Sequence, residues 1–307
     1  MTRFAPLPDL DSVWDFDHPE ASEAAFAALL PLARASGDPD YLAQLLTQVA
    51  RAEGLQMKFD HASKTLDEAE ALITPETPTA RVRLLLERGR VLNSSKRREE
   101  SKPFFLEAWD LARETGAGGL AVDAAHMLGI VERGDASVAW NEKAIAYAEA
   151  SSDPKARRWL GSLYNNLGWT WHDAGDAARA LDLFQKALAA REAEGKAGLV
   201  RIARWCVARA LRSLGRLDEA LATQRRLLAE NEAVGAPDGY VHEEIGEILL
   251  ARGDDAGAKP HFAAAWKVLS EDPWLRRDEP ARLERMRRLG GLPAADAPSG
   301  AAGPHSR

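Results

Sequence analysis

The 307 residues of this chain include 47 acidic and 40 basic side chains, and the resulting net charge of −7 repels the phosphate backbone of nucleic acids. The single cysteine, Cys206, excludes an intramolecular disulfide and a cysteine-based metal cluster, and it is consistent with a reducing compartment. Hydrophobic residues make up 46 % of the chain, and no stretch alternates apolar and polar residues, so we expect an all-α fold without a sheet.

The N-terminal sequence MTRFAPLPDLDSVWDFDHPE lacks the apolar core of a signal peptide. Elsewhere, no uncharged apolar run reaches the roughly 20 residues that a membrane-spanning helix needs. We therefore expect a cytoplasmic protein that has neither a membrane nor a nucleic acid among its partners.

The first predicted element, DLDSVWDFDHPE, is rich in carboxylates. They belong to Asp9, Asp11, Asp15 and Asp17. Together with His18 they could suggest a divalent-cation site, but the stretch lacks the glycine and the terminal glutamate of a calcium loop. We expect instead a turn that leads into a helix over residues 22–37, with Trp14 and Phe16 packed back on the helices that follow.

Residues 161–194 carry the pattern of a two-helix hairpin. Small residues at Gly168, Ala180 and Ala187 allow two helix axes to approach closely, and bulky side chains fill the spaces between them. The bulky residues are Tyr164, Leu167, Trp171 and Phe184. This spacing resembles the tetratricopeptide repeat, with Trp171 in place of the usual tyrosine and no proline at the final position.

With the copy at 161, the copies of this pattern begin near residues 43, 82, 121, 161, 201 and 239. In the copy that begins at Arg201, Gln224 replaces the usual aromatic residue. Between residues 118 and 150 the repeat could start at Leu120 or at Val122, so the faces of that hairpin are not assigned.

The resemblance implies an all-α, right-handed solenoid of five to six helical hairpins with a cap helix at each end. The predicted boundaries are an N-terminal segment and cap helix at 1–42, the repeat array at 43–272, a C-terminal cap helix at 273–290 and a disordered tail at 291–307. The tail is predicted from its content of Pro, Gly, Ser and Ala.

In proteins of this repeat family, the first helix of each hairpin lines a concave surface that binds other proteins. Arginines with aromatic and amide side chains occupy the corresponding positions here. The predicted peptide-binding residues are Arg51, Arg90, Asn93, Asn165, Trp169, His172, Trp205, Arg209, Arg212 and Tyr240. Arginine binds carboxylates bidentately and aromatic rings offer large contact areas, so the resemblance implies a scaffold for a protein or peptide, most simply an extended acidic segment.

Other interpretations of these residues stay open. The arginines could pair with Glu and Asp of neighbouring helices, and Trp169 and Trp205 could fill gaps between repeats. Alternatively, Trp169, His172, Trp205 and Arg209 could line the pocket of a small-molecule sensor or enzyme. A purely structural subunit is a further possibility.

Sequence motifs of the common enzyme families are missing. The histidines form no HExxH, and no phosphate-binding loop, GxGxxG or GxSxG is present. Cys206 is predicted to be a small buried residue, and His172 beside Asp173 a cap or a surface-lining residue. We therefore expect no catalytic activity, no cofactor and no metal. Most of the chain also resembles a group of stand-alone bacterial repeat proteins of undetermined role.

Overall fold

The computed structural model describes residues 7–293, and these residues form helices without any β-strand. Apart from a short 3₁₀ helix at Leu10–Ser12, the helices are α1 (Pro19–Ser36), α2 (Pro39–Leu55), α3 (Phe59–Glu70), α4 (Pro78–Ser94), α5 (Arg98–Glu114), α6 (Gly118–Val131), α7 (Gly134–Ala150), α8 (Pro154–Arg157), α9 (Leu160–Asp173), α10 (Ala177–Glu194), α11 (Ala197–Ser213), α12 (Leu217–Ala233), α13 (Gly239–Ala251), α14 (Asp255–Leu269), α15 (Pro273–Asp278) and α16 (Pro280–Leu289). The predicted disordered tail lies outside the described residues from residue 294 onward. In the described part of the chain, no helix combines the length and the apolar composition needed to cross a membrane.

The chain divides into two compact units between Leu167 and Gly168, within α9. We call them the N-terminal unit and the C-terminal unit. In the N-terminal unit, α2 packs on α3, α4 on α5 and α6 on α7 as successive hairpins. In the C-terminal unit, α11 packs on α12 and α13 on α14, and α16 covers α14. The helical-hairpin architecture expected from the sequence is therefore confirmed.

A glycine and a phenylalanine set the distance between the two helices of several hairpins. A Cβ atom added to Gly89 would lie 2.5 Å from the Phe105 ring, and one added to Gly168 would lie 2.6 Å from the Phe184 ring. Both rings are completely buried. Because real Cβ contacts are not this short, the helices can pack at this distance only while these positions remain glycine.

The turns inside the hairpins share one backbone requirement. Gly175, Gly215 and Gly253 occupy corresponding turn positions with φ between 74° and 86°. Met57 and Lys96 take the same left-handed conformation, with φ of 61° and 66°, in the turns before α3 and α5. A side chain in this conformation costs roughly 1–2 kcal/mol relative to glycine, so these two turns are the strained members of the series.

The hairpin of α6 and α7 explains why its sequence register was ambiguous. Its close-packed glycine is Gly129, where an added Cβ would lie 2.6 Å from the Asn141 side chain. The sequence distance from Gly129 to Asn141 is shorter than that from Gly89 to Phe105 or from Gly168 to Phe184, because the turn before α7 is short. Gly129 therefore occupies the small-residue position of a repeat that starts at Val122. The polar Asn141 takes the place that an aromatic ring has in the other hairpins.

Gln224 is the aromatic replacement that the sequence identified, and its side chain is fully buried. Neither its Nε2 nor its Oε1 has a hydrogen-bond partner among the described residues. We expect Gln224→Met, a change of similar volume, to raise the free energy of unfolding by about 1–2 kcal/mol, since an unpaired buried amide no longer has to be desolvated. Chemical denaturation measures the difference.

Gln185→Met on the exposed side of α10 serves as the control. Surface substitutions of this kind change the free energy of unfolding by no more than about 0.5 kcal/mol. A destabilised Gln224→Met protein would contradict the argument, because it would mean that the native amide makes favourable interactions.

Candidate functional site

The predicted site residues lie on the first helices of five hairpins, namely α2, α4, α9, α11 and α13. The N-terminal unit holds Arg51, Arg90, Asn93 and Asn165, and the C-terminal unit holds Trp169, His172, Trp205, Arg209, Arg212 and Tyr240.

In the N-terminal unit, a buried charge network joins three consecutive first helices. Arg90 on α4 donates from Nη1 to Oε1 of Glu87 at 2.5 Å and from Nη2 to Asp123 on α6. Arg51 on α2 places its Nη1 3.4 Å from the same Glu87 oxygen. The Glu87 and Asp123 side chains are only 3 % and 6 % exposed. Two arginines thus compensate two carboxylates where water has little access.

The pKa shifts of this network follow from burial and pairing. Burial acts to raise the pKa of Asp123, but Arg90 and Arg51 outweigh it and hold that pKa below its usual value. Burial acts in the opposite sense on Arg90, whose pKa the two carboxylates nevertheless raise. The pKa of Arg51 is lowered, by burial first and then by Arg90. Asp123 and Arg90 are therefore charged at neutral pH, and Arg51 is charged as well because arginine is not deprotonated in proteins.

The N-terminal segment of the chain lies on this same face. Asp11 accepts a hydrogen bond from Arg83 Nη2 at 3.0 Å and another from Lys155 Nζ at 2.8 Å. Burial acts to raise the pKa of Asp11, but Lys155 and Arg83 outweigh it and lower the pKa overall. Tyr41 donates to the carbonyl oxygen of Pro8 at 3.0 Å. Lys155 Nζ also lies 3.9 Å from Asp9, so the segment contacts α2, α4 and α8 through two aspartates and its backbone.

Two aromatic residues continue these contacts. Trp14 donates from Nε1 to Oε1 of Gln48 at 2.9 Å and meets the Phe26 ring edge to face at 5.0 Å. Phe16 stacks on Trp14 with ring centroids 4.5 Å apart. The Arg51 guanidinium lies 5.6 Å and 5.4 Å from the centroids of these two rings. The expected packing of Trp14 and Phe16 on the first hairpin is thus present, and Arg51 is sandwiched between the aromatic rings and Glu87.

In the C-terminal unit, Trp169 lies at the centre of an aromatic group. Its ring centroid is 5.1 Å from His172, 5.2 Å from Phe184 and 6.0 Å from Trp205. Trp205 donates from Nε1 to the carbonyl oxygen of Tyr240 at 3.2 Å. These contacts fix both indole rings and join α11 to α13.

Two arginines near the end of α11, Arg209 and Arg212, pair with one carboxylate on α13. Arg212 donates to Glu244 from Nε at 2.5 Å and from Nη2 at 3.2 Å. Arg209 Nε lies 3.8 Å from Glu244, and its Nη1 donates to Ser213 Oγ at 2.9 Å. Glu244 is 4 % exposed. Burial raises the pKa of Glu244 despite the opposing effect of Arg212.

His172 and Ser213 form a pair that could suggest nucleophilic catalysis. His172 Nε2 lies 2.9 Å from Ser213 Oγ, and its Nδ1 lies 3.7 Å from Asp173. Burial, followed by the charge of Arg209, lowers the pKa of His172. Acyl transfer also needs N–H groups directed at the developing oxyanion. Ser213 ends α11, and a helix C-terminus presents carbonyl oxygens instead.

Cys206 is 2 % exposed, as the sequence analysis expected. Burial raises the pKa of its thiol to about 12. A thiol with such a pKa carries almost no thiolate at neutral pH, and the thiolate is the form that acts as a nucleophile or metal ligand.

A pocket of about 900 Å³, here called the α11–α14 pocket, opens beside Trp205 and Tyr240. Its walls come from α11, α12, α13, α14 and the loop before α13. Trp205 belongs to the predicted small-molecule site, whereas Trp169, His172 and Arg209 are not among the lining residues. The pocket therefore lies on a different side of Trp205 from the one that the sequence suggested.

Sequence reasoning missed the carboxylates that face the predicted arginines. Glu87 could have been found, because it precedes Arg90 by one helical turn and i,i+3 pairs face each other. Asp123 and Glu244 belong to the next first helix, and no local signal marks them. The same holds for Arg282 on α16, which binds Glu243 through two hydrogen bonds of 2.8 Å and 2.6 Å.

Comparisons with known proteins agree with this architecture. The family model described as tetratricopeptide repeat matches residues 160–194. A search of curated proteins gave no match. A solved signal-transduction ATPase with a tetratricopeptide repeat sensor from Pyrococcus horikoshii superposes with a TM-score of 0.67 at 13 % identity, covering 89 % of this chain. This chain spans only 42 % of the length of that protein.

Two further solved structures are less similar. A tetratricopeptide repeat protein from Parabacteroides merdae has a TM-score of 0.48 at 14 % identity, with 92 % of this chain and 97 % of the other covered. NprR in complex with its cognate peptide NprX has a TM-score of 0.46 at 14 % identity, with 92 % and 88 % covered.

The fold is thus that of an all-α helical-hairpin repeat protein. Residues 160–194 match the tetratricopeptide repeat, and the chain as a whole has the fold of tetratricopeptide-repeat proteins.

Proposed function

We propose that this chain is a non-catalytic scaffold that binds an extended acidic segment of a protein or peptide on the first helices of its hairpins. The observation that carries the proposal is the position of the chain's own acidic, aromatic N-terminal segment. Residues 8–16 already lie on the first helices of the N-terminal unit and use the chemistry that an external segment would offer.

The receiving surface, here called the segment-binding face, consists of Gln48, Arg51, Arg83 and Lys155. Arg83 and Lys155 bind a carboxylate, Gln48 accepts from an indole N–H, and Arg51 lies against aromatic rings. A segment that alternates carboxylates with aromatic residues can satisfy all four side chains. Charge-assisted hydrogen bonds give such a segment its orientation, and buried aromatic rings give most of its affinity.

In the C-terminal unit, Arg209 is the arginine best placed to take a carboxylate from a partner. Its side chain is 26 % exposed, and its Nε is as far as 3.8 Å from the Glu244 oxygen. Arg212, in contrast, is held by Glu244 through two hydrogen bonds. A carboxylate that approached Arg209 would not have to break a short ion pair. The aromatic group of Trp169 and Trp205 lies beside it and offers apolar contact area.

The test uses a fluorescein-labelled peptide that copies residues 8–17 and the full chain carrying Asp11→Ala and Trp14→Ala. These substitutions remove the side-chain contacts of the internal segment, so we expect the peptide to bind at least about tenfold more tightly than it binds the wild type, by mass action. Fluorescence anisotropy measures the affinity, and circular dichroism checks that the helix content is unchanged.

Two matched controls make the outcome specific. A peptide with each Asp replaced by Asn should lose most of the affinity, and Arg83→Gln should weaken binding of the acidic peptide. Arg81→Gln, on the same helix and also in an ion pair, with Glu107, should not. Equal binding of the Asp and Asn peptides, or equal effects of the two arginine substitutions, would refute the proposal.

A further inference from the structure

The α11–α14 pocket has the size and the lining of a small-molecule site. Its volume of about 900 Å³ lies within the roughly 300–1,000 Å³ that ligand pockets occupy. Leu227, Val241 and Leu269 contribute apolar wall, and none of these side chains is more than 4 % exposed. Trp205 and Tyr240 also line the pocket. The interior therefore favours an apolar ligand body.

One polar side chain in the lining is buried and has no partner. Asn231 on α12 is 4 % exposed and lines the pocket. Among the described residues, its side-chain amide makes no hydrogen bond, although its backbone carbonyl accepts one from Ala236. The Asn231 amide atoms are not among the fully buried polar atoms that lack a partner, so the amide reaches the pocket space and can hydrogen-bond a polar ligand group there.

Two cationic side chains in the lining are also unpaired. Within residues 7–293, neither Lys196 nor Arg201 forms a hydrogen bond or an ion pair with a carboxylate, although the chain is acidic overall. The one lining carboxylate, Asp238, accepts hydrogen bonds from the backbone N–H groups of Tyr240 at 2.9 Å and Val241 at 3.4 Å. The pocket thus keeps an excess of positive charge.

We propose that this pocket binds a small amphipathic carboxylate, with an apolar chain or ring among Leu227, Val241 and Leu269 and an anionic group near Lys196 and Arg201. The Asn231 amide supplies the hydrogen bonds that orient it. The carboxylate is favoured because apolar walls, an unpaired amide and unpaired cations meet in one concave site. This site is separate from the segment-binding face, and the proposal does not depend on the proposed function.

The test measures binding of the fluorescent probe 8-anilinonaphthalene-1-sulfonate to the full chain and its displacement by decanoate, decanol and decylamine. Decanoate should displace the probe at concentrations at least about tenfold lower than decanol, because decanoate offers a negative charge to Lys196 and Arg201 and decanol is uncharged. Decylamine should be the weakest competitor. Failure of decanoate to displace the probe, or equal potency of all three, would overturn the proposal.

Variants locate the binding site. An added Cβ at Gly198 meets nothing within 4 Å, and Gly198 lines the pocket, so Gly198→Leu fills space without a clash. We expect it to weaken decanoate binding at least about tenfold while thermal unfolding shows an intact fold. Unchanged decanoate binding by Gly198→Leu would place the site elsewhere and overturn the proposal.

Charge reversal separates the anionic group from the apolar body. Lys196→Glu with Arg201→Glu should reduce the affinity for decanoate and leave that for decanol unchanged. Lys64→Glu with Arg133→Glu, two exposed positions in the N-terminal unit, makes the same change in net charge and should leave both affinities unchanged. Equal effects of the two double variants would mean that decanoate binding depends only on the overall net charge of the protein, and this would refute the role of Lys196 and Arg201.

Discussion

Replacing Gly168 with leucine should lower the free energy of unfolding by about 3 kcal/mol or more, at the upper end of the usual cost of overpacking. The Phe184 ring would lie 2.6 Å from the first added carbon atom, and this ring is completely buried. The ring cannot move aside without displacing its own neighbours in a close-packed interior. Chemical denaturation followed by circular dichroism measures the loss.

The matched control is Gly198→Leu, the same substitution in another helix with no atom near the added Cβ. Since glycine is a poor helix residue, this change should be neutral or stabilising by up to about 1 kcal/mol. Phe184→Leu should make Gly168→Ala less costly than it is in the wild type, because the smaller side chain relieves the contact. Equal losses for the two leucine variants would mean that helix propensity, rather than packing, dominates.

Replacing Arg90 with methionine should cost about 3–5 kcal/mol at pH 7.5, the usual range when a buried ion pair loses one partner. Glu87 and Asp123, at 3 % and 6 % exposure, would be left with Arg51 as the remaining compensating cation of the network. Methionine keeps most of the apolar stem of arginine, so the loss reports the missing charge rather than a cavity.

The loss should also depend on pH in a predictable direction. In the wild type, the pKa of Asp123 is lowered, so its contribution is fully present above its unfolded value near 3.9 and is lost only below it. Without Arg90, the burial that acts to raise the pKa of Asp123 is opposed mainly by Arg51, so we expect this pKa to rise above its unfolded value. The variant therefore gains stability as the pH falls, and its deficit should be smaller at pH 5 than at pH 7.5.

The control for this experiment is Arg97→Met, which removes an exposed pair with Glu100. Its free energy of unfolding should change little, because exposed ion pairs contribute little. A deficit for Arg90→Met that is the same at pH 5 and pH 7.5 would contradict a loss of charge compensation and point to lost packing instead.

The hairpin architecture could be predicted because its determinants are local. Gly168 and Phe184 lie in one stretch of chain, and their spacing alone places them opposite each other across a hairpin. The same reasoning failed for α6 and α7, where a short turn brings Asn141 rather than an aromatic residue against Gly129. A change in turn length shifts the register of the second helix, and the residue types in the sequence do not reveal this shift.

The predicted site residues lie on first helices, and the sequence left open whether their arginines bind a ligand or pair with carboxylates of neighbouring helices. Arg90 and Arg212 were chosen as ligand-binding side chains, and both are held by buried carboxylates of the next first helix. Which carboxylate reaches which arginine depends on how consecutive hairpins pack. The position of Asp11 beside Lys155 depends on the same packing over a still longer stretch of chain.

The sequence by itself determined the all-α class, the helical hairpins and their close-packed glycines, because helix periodicity and the spacing of small and large residues act within a single hairpin. Only the tertiary structure decided the partners of the arginines, the contacts of Asp11 with α4 and α8, and the α11–α14 pocket. These features arise between hairpins, where the angle and the separation of packed helices bring residues that are distant in sequence within hydrogen-bonding distance. The linear pattern of residue types does not encode this angle and this separation directly.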